Sequence, residues 1–202
     1  MNAKTISFTL MMGVLGNVFF AISYYSGSLA PGVNLDFSLV AVFVAGFYGG
    51  PFIGLVSGFF VGIFPGVMFG PLGMGSWLGL FGLPLGKALT GLTAGTISRS
   101  LSLGRRKYSS VLTVPVALFS YIPECLFTYV YFADLLPFVF GVSADELAFV
   151  FMYYILPKAL VEVTVISFLM AAVVGNHGFN NFISRFFARR QAIPTLKAAS
   201  SN

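Results

Sequence analysis

Charged side chains are scarce in this chain. Asp, Glu, Lys and Arg make up 8% of its 202 residues, against 57% hydrophobic ones. A soluble domain carries far more charge, so the composition excludes one and points to transmembrane helices. Cys125 is the only cysteine, which excludes a disulfide framework and a cysteine-based metal site. His177 is the only histidine. No Ser-His-Asp set and no histidine metal cluster can be drawn around it, and its place near the end of the last apolar run reads as interfacial. No glycine run ends in the Gly-Lys-Ser/Thr of a phosphate-binding loop, so the chain cannot hydrolyse ATP by itself. The expectation is a non-enzyme without metal or cofactor. Uphill transport by such a chain would draw its energy from a partner or an ion gradient. No Ala-x-Ala-like site precedes Tyr24 and Tyr25, so the first apolar run reads as a span and not as a signal peptide.

What the chain has in abundance is glycine. Between Gly50 and Gly70 a glycine stands at every fourth position, and Ser57 is the only polar side chain among them. In water each interior glycine costs a helix about 1 kcal/mol relative to alanine. In a bilayer the backbone must satisfy itself, so helix is enforced, and small residues four apart form a groove that admits a neighbouring helix. Positions four apart drift by about 40° around a straight helix, which predicts that only three or four of these glycines share a face. The expected role is close packing, not ligand binding.

The apolar runs predict six spans, at 5–25, 37–49, 50–70, 77–97, 111–132 and 147–174. The second is shorter than the roughly 20 residues of a full crossing, so the second and third form either two crossings or a re-entrant pair. With Lys4 in the cytoplasm, six spans place Arg99, Arg105, Arg106, Lys107, Arg185, Arg189, Arg190 and Lys197 there too. Asp36, Asp134, Asp145 and Glu146 then fall outside. This is the positive-inside pattern, and it explains the net charge of +5 without nucleic acid as a partner. The expected fold is an all-α integral membrane protein, a compact bundle of six transmembrane helices with N- and C-termini cytoplasmic. Residues 1–176 form the membrane domain and 177–202 a basic cytoplasmic tail. The expected location is the cell membrane, multi-pass, with the lipid bilayer around it.

Four charges remain inside the spans: Lys87, Glu124, Lys158 and Glu162. Each costs about 2.5–3.5 kcal/mol on insertion scales, so each needs a partner or a wet cavity. Lys158 and Glu162 are four apart and share a helix face, and Pro157 before them frees a carbonyl and kinks the helix. The four charges read either as internal salt bridges that knit the last three spans or as a polar pocket for a small solute. The two readings are compatible. Trp77, Tyr121, Tyr129, Tyr131, Tyr153 and Tyr154 read as an aromatic belt or, at Tyr121, as a stacking surface for a planar ligand. Asn17 offers a hydrogen bond to a neighbouring helix or to a solute. The candidate solute-binding residues are therefore Glu124, Lys158, Glu162, Tyr121, Trp77, Lys87 and Asn17.

Three stretches carry a resemblance. LDFSLVAVFVAGFYGGPFIGLVSGFFVGI (35–63), PLGKALTGLTAGTISR (84–99) and ILPKALVEVTVISFL (155–169) resemble the substrate-binding S components of energy-coupling factor (ECF) transporters. The resemblance lies in the placement of glycine and proline. It implies a six-helix vitamin-binding subunit that captures solute in an outward pocket among the fourth to sixth helices and the first loop. It also implies a transmembrane coupling protein and ATPase subunits as partners, with the subunit tilting in the membrane when docked. The acidic residue common after the glycine run in that family is replaced here by Ile63-Phe64-Pro65, and the small-residue motif of its first helix is matched in part, by Gly13 and Gly16. The same stretches resemble the membrane sensor domain of LytS-type histidine kinases, in which Glu124 would match a glutamate of the next-to-last helix. The alternative function is therefore a ligand sensor without its own kinase.

Overall fold

The structure is a computed structural model that describes residues 3–26, 36–73, 76–103 and 108–188. Arg105, Arg106, Lys107, Arg189, Arg190 and Lys197 lie outside the described residues, as does most of the loop after the first span. Within them the fold is all-α, without a strand. The helices are α1 Ala3–Tyr25, α2 Leu39–Val44, α3 Pro51–Val61, α4 Ile63–Phe69, α5 Ser76–Leu101, α6 Ser109–Val130, α7 Leu136–Phe140, α8 Ala144–Val150, α9 Leu156–Gly175 and α10 His177–Ala188. Four helical stretches are long and apolar enough to cross a membrane: Ala3–Tyr25, Pro51–Phe69, Ser109–Phe140 and Ala144–Gly175. Helix α5 has the length, 26 residues, but Lys87 and its glycines and threonines dilute its apolarity.

Three π-helical turns, Ala45–Gly49, Tyr131–Leu135 and Phe151–Ile155, each end two residues before a proline: Pro51, Pro137 and Pro157. Proline offers no N–H, and its ring crowds the carbonyl four residues back. Widening the preceding turn relieves the crowding. Accordingly, Leu136 N donates to Tyr131 O and Leu156 N to Phe151 O, each five residues back. Before Pro51 the widened turn ends at Gly50, whose φ of 90° is open to glycine. The Phe47 carbonyl, four residues before Pro51, accepts from the Ser98 hydroxyl of α5 at 3.3 Å.

Helix α2 is the centre of the bundle. Ala41, Val42 and Phe43 are wholly buried, as an all-apolar helix requires, and α1, α3, α5 and α9 surround it. The tightest contact is between α3 and α5. A Cβ at Gly54 would run into the Gly91 carbonyl, one at Gly58 into the Lys87 carbonyl, and one at Gly62 into the Pro84 backbone. Gly50, Gly66 and Gly70 meet α5 as well. All six glycines thus face one partner, and the drift expected around a straight helix does not occur. Rows of every fourth residue run obliquely along a helix, so a partner crossing at an angle follows them. The break between α3 and α4 at Gly62 also resets the phase.

That break is closed by α1. The Asn17 side-chain amide donates to Phe60 O at 2.8 Å and accepts from Phe64 N at 3.0 Å, which inserts it into the turn where those two groups would otherwise pair. Helices α6 and α9 form an antiparallel hairpin, tied at one end by Ser110 Oγ donating to Ala171 O at 2.6 Å. The region expected as a loop around Asp134, Asp145 and Glu146 is mostly helical. It turns only at 141–143, where Gly141 adopts φ 65° and Ser143 Oγ accepts from Glu146 N to cap α8.

The tail expected from residue 177 opens with α10, which folds back on the bundle. Ile183 is buried, and Phe179, Phe186 and Phe187 pack against the core. Phe187 meets Phe8 edge-on at 5.2 Å between centroids. Tyr48 Oη donates to Asn180 Oδ1 at 2.6 Å, and Lys4 Nζ to Phe186 O at 3.1 Å.

Candidate functional site

Near the Tyr25 end of α1 the chain re-enters the bundle at Asp36. Phe37 N donates to Ser23 Oγ at 3.4 Å, which pins this entry to α1. Asp36 Oδ1 then accepts from Ser38 N at 2.8 Å. This is a local side-chain-to-backbone cap at the start of α2. The other carboxylate oxygen, Oδ2, accepts from Lys87 Nζ of α5 at 2.8 Å, and the same ammonium donates to Ser38 Oγ at 2.8 Å. Lys87 is 4% exposed. The backbone of Gly58 lies against the Lys87 carbonyl, so the glycine row of α3 sets where this lysine stands.

Asp36 joins a third element. Its backbone N–H donates to Glu162 Oε1 of α9 at 2.7 Å. The same oxygen faces Lys158 Nζ, one turn earlier, at 3.3 Å. Lys87, Asp36, Glu162 and Lys158 are thus one continuous chain of polar contacts across α5, the start of α2, and α9. Two members reach toward solvent: the Asp36 side chain is 16% exposed and that of Lys158 25%. Burial alone would raise the Asp36 carboxyl. The Lys87 ammonium and the hydrogen bonds with Lys87 and Ser38 outweigh it and hold the group below its ordinary value of 3.8.

Glu124 of α6 stands beside this chain. It is buried, and it accepts a hydrogen bond from the Thr90 hydroxyl, one turn after Lys87 on α5. Gly86 faces the Glu124 side chain, and a Cβ there would come within 3.3 Å of Cγ. Thr93 Oγ1 donates to Ser120 O at 2.7 Å, a further polar tie between α5 and α6. Tyr121, one turn before Glu124, is half-buried against the core. It lies within electrostatic reach of Glu124, Glu162 and Asp36.

The structure therefore brings together Lys87, Glu124, Lys158, Glu162 and Tyr121, all of them expected. It leaves two candidates elsewhere. Trp77 is 56% exposed at the start of α5. Asn17 has both ends of its amide engaged with α3 and α4, beside an apolar groove of about 270 Å³ that shares no residue with the charged cluster. Asp36, Ser38 and Thr90 belong to the cluster and were not expected there. Asp36 reads in sequence as one of the acids marking the outer face. Its signal was the Asp-x-Ser spacing just before an apolar run, which is a helix-start pattern. Thr90 carried the signal of a hydroxyl one turn from an intramembrane lysine.

Among the described residues no three His, Cys, Asp or Glu side chains converge as a metal set would. The arrangement offers hydrogen-bond donors and acceptors of both charges, held by four elements and surrounded by apolar side chains. No family model, curated protein or solved structure matches the chain.

Proposed function

We propose that this chain is the solute-binding membrane subunit of an ECF-type importer, taking up a vitamin-like small molecule through the cell membrane with a transmembrane coupling protein and ATPase subunits as partners. The single observation that carries the reading is the convergence of Asp36, Lys87, Glu124, Lys158 and Glu162 inside an apolar bundle. Charges at such depth are costly and mark solute or ion sites by default. The six-crossing, multi-pass topology belongs to this reading. Lys4, Arg99 and Arg185 lie toward one end of the bundle, and Asp134, Asp145 and Glu146 toward the other. Both termini are then cytoplasmic, and the Asp36–Lys158 edge of the cluster opens outward.

The alternative is a LytS-like membrane sensor that uses the same cluster for its ligand. The observation favouring it is α10, seated on the π-helical turn after α2 and on α1 through Asn180 and Phe186, where a cytoplasmic output surface would be.

Affinity capture of the full chain from native membranes in mild detergent separates the two. Co-recovery of a transmembrane protein with ATPases is the expected result. Recovery of a kinase or response protein would move the assignment to the sensor. Recovery of the chain alone, with no bound solute, would leave the charges a purely structural role.

A further inference from the structure

The cluster is not electrically balanced. Asp36 pairs with Lys87 and Glu162 with Lys158. Glu124 has no ion pair among the described residues. Its one side-chain partner is the Thr90 hydroxyl, although it is only 7% exposed. Three carboxyls face two ammonium groups, so one carboxyl, Glu124, stands without a countercharge of its own. A hydroxyl can orient this carboxyl but supplies no countercharge, and an ionised group so placed is among the costliest arrangements a protein can hold, so a cation beside it is what would let it ionise.

We propose that the solute taken by this site carries a positive charge, which Glu124 receives while Tyr121 packs against the organic part. The proposal rests on the solute-binding reading above and names the class of solute. Lys87 is engaged by Asp36 and Ser38, and Lys158 by Glu162, so Glu124 is the carboxyl without an ion pair among the described residues. An anionic solute would bring Glu124 no countercharge, and neither would a neutral one. A metal ion would find a single free carboxylate, because no third ligand converges there among the described residues. An organic ammonium or a ring cation also gains from an aromatic face, and Tyr121 stands one turn from Glu124 on α6.

The test uses the full chain in lipid nanodiscs. Choline is the probe, 3,3-dimethylbutan-1-ol its uncharged isostere, and the readout is the thermal unfolding midpoint. Native mass spectrometry of protein taken from its own membranes identifies any solute that stays bound. Choline is expected to raise the midpoint of the wild type, and the isostere not to. E124Q should weaken the choline response at least tenfold while unfolding at the same temperature or higher. E124D, which keeps the charge, should retain the response. A co-purifying solute should be a cation and should be lost from E124Q. Equal responses to choline and its isostere, or a neutral or anionic co-purifying solute that E124Q retains, overturn the proposal but leave solute binding intact. No response to either probe together with no co-purifying solute removes the solute-binding reading itself.

Discussion

Lys87 and Asp36 are 51 positions apart in the chain and 2.8 Å apart in the fold. Their contact closes the entrance of α2 onto α5, so a helix buried on every side is fixed at its start by one ion pair. Removing one partner of a buried pair costs about 3–5 kcal/mol, because the other is left uncompensated. K87M should destabilise the chain by that order. K87M/D36N should recover part of the loss, with a coupling of about 0.5–3 kcal/mol. Equilibrium unfolding in detergent micelles measures the cycle, and a purely additive double variant would refute the pairing.

The same pair carries a pH dependence. Asp36 is held below its ordinary carboxylate value, so its contribution to stability is complete at neutral pH. It is lost as pH falls through the acid range beneath the unfolded value. The stability advantage of wild type over D36N should therefore begin to shrink as pH falls below the ordinary value of 3.8. Curves that stay parallel from pH 7 to pH 3 would show that Asp36 is not the linked group.

Asn17 stitches α1 into the α3–α4 break. N17L removes a donor to Phe60 O and an acceptor for Phe64 N and leaves both backbone groups short of partners in an apolar setting. Interhelical hydrogen bonds in membranes are worth about 0.6–2 kcal/mol each. The expected loss is about 1–3 kcal/mol, with solute affinity changed less than twofold. An affinity loss larger than tenfold at unchanged stability would instead place Asn17 in the binding site.

Gly54 and Gly91 leave no space for a side chain between them. G54V should abolish the folded bundle or shift α3 off α5. Folded yield by fluorescence-detected gel filtration reads this directly. G141A makes the control, since nothing lies within 4 Å of a Cβ there and only its positive φ resists. It should cost about 1 kcal/mol. Equal behaviour of G54V and G141A would contradict the packing described.

Helix α10 should be part of the stable fold. Truncating Phe187 to alanine removes its edge contact with Phe8 and part of the apolar cover over the core. About 1–3 kcal/mol of stability should go with it. Protease digestion offers a second check: the 177–188 segment should resist cleavage in wild type and become cut in F187A.

Much of this architecture was legible in residue types and their spacing. Apolar runs located the long helices, and the cost of charge in lipid singled out Lys87, Glu124, Lys158 and Glu162 before any geometry was known. Pairing across elements was not legible. Nothing local to Asp36 tells that Lys87 is its partner, and an acid in a connecting segment has the same sequence signature whether it faces solvent or folds inward. The 179–187 segment did carry its signal: Phe179, Phe182, Ile183, Phe186 and Phe187 follow the helical period. Its basic residues drew attention to charge and away from that stripe. Ser143 and Glu146 likewise form a helix-start pair inside what composition alone reads as a loop.

The glycine row also bears on how association is driven where water is absent. Within a bilayer, apolar surfaces gain nothing by leaving lipid for one another, so contact must come from dispersion and from keeping entropy losses small. At Gly54, Gly58 and Gly91 the surfaces that meet are main chain, which has no rotamers to freeze. The backbone freedom that makes glycine costly in a helix is surrendered when each helix forms, before the two meet. Helices α3 and α5 can therefore dock with almost no further ordering penalty, which makes this pair a natural first assembly step for the bundle.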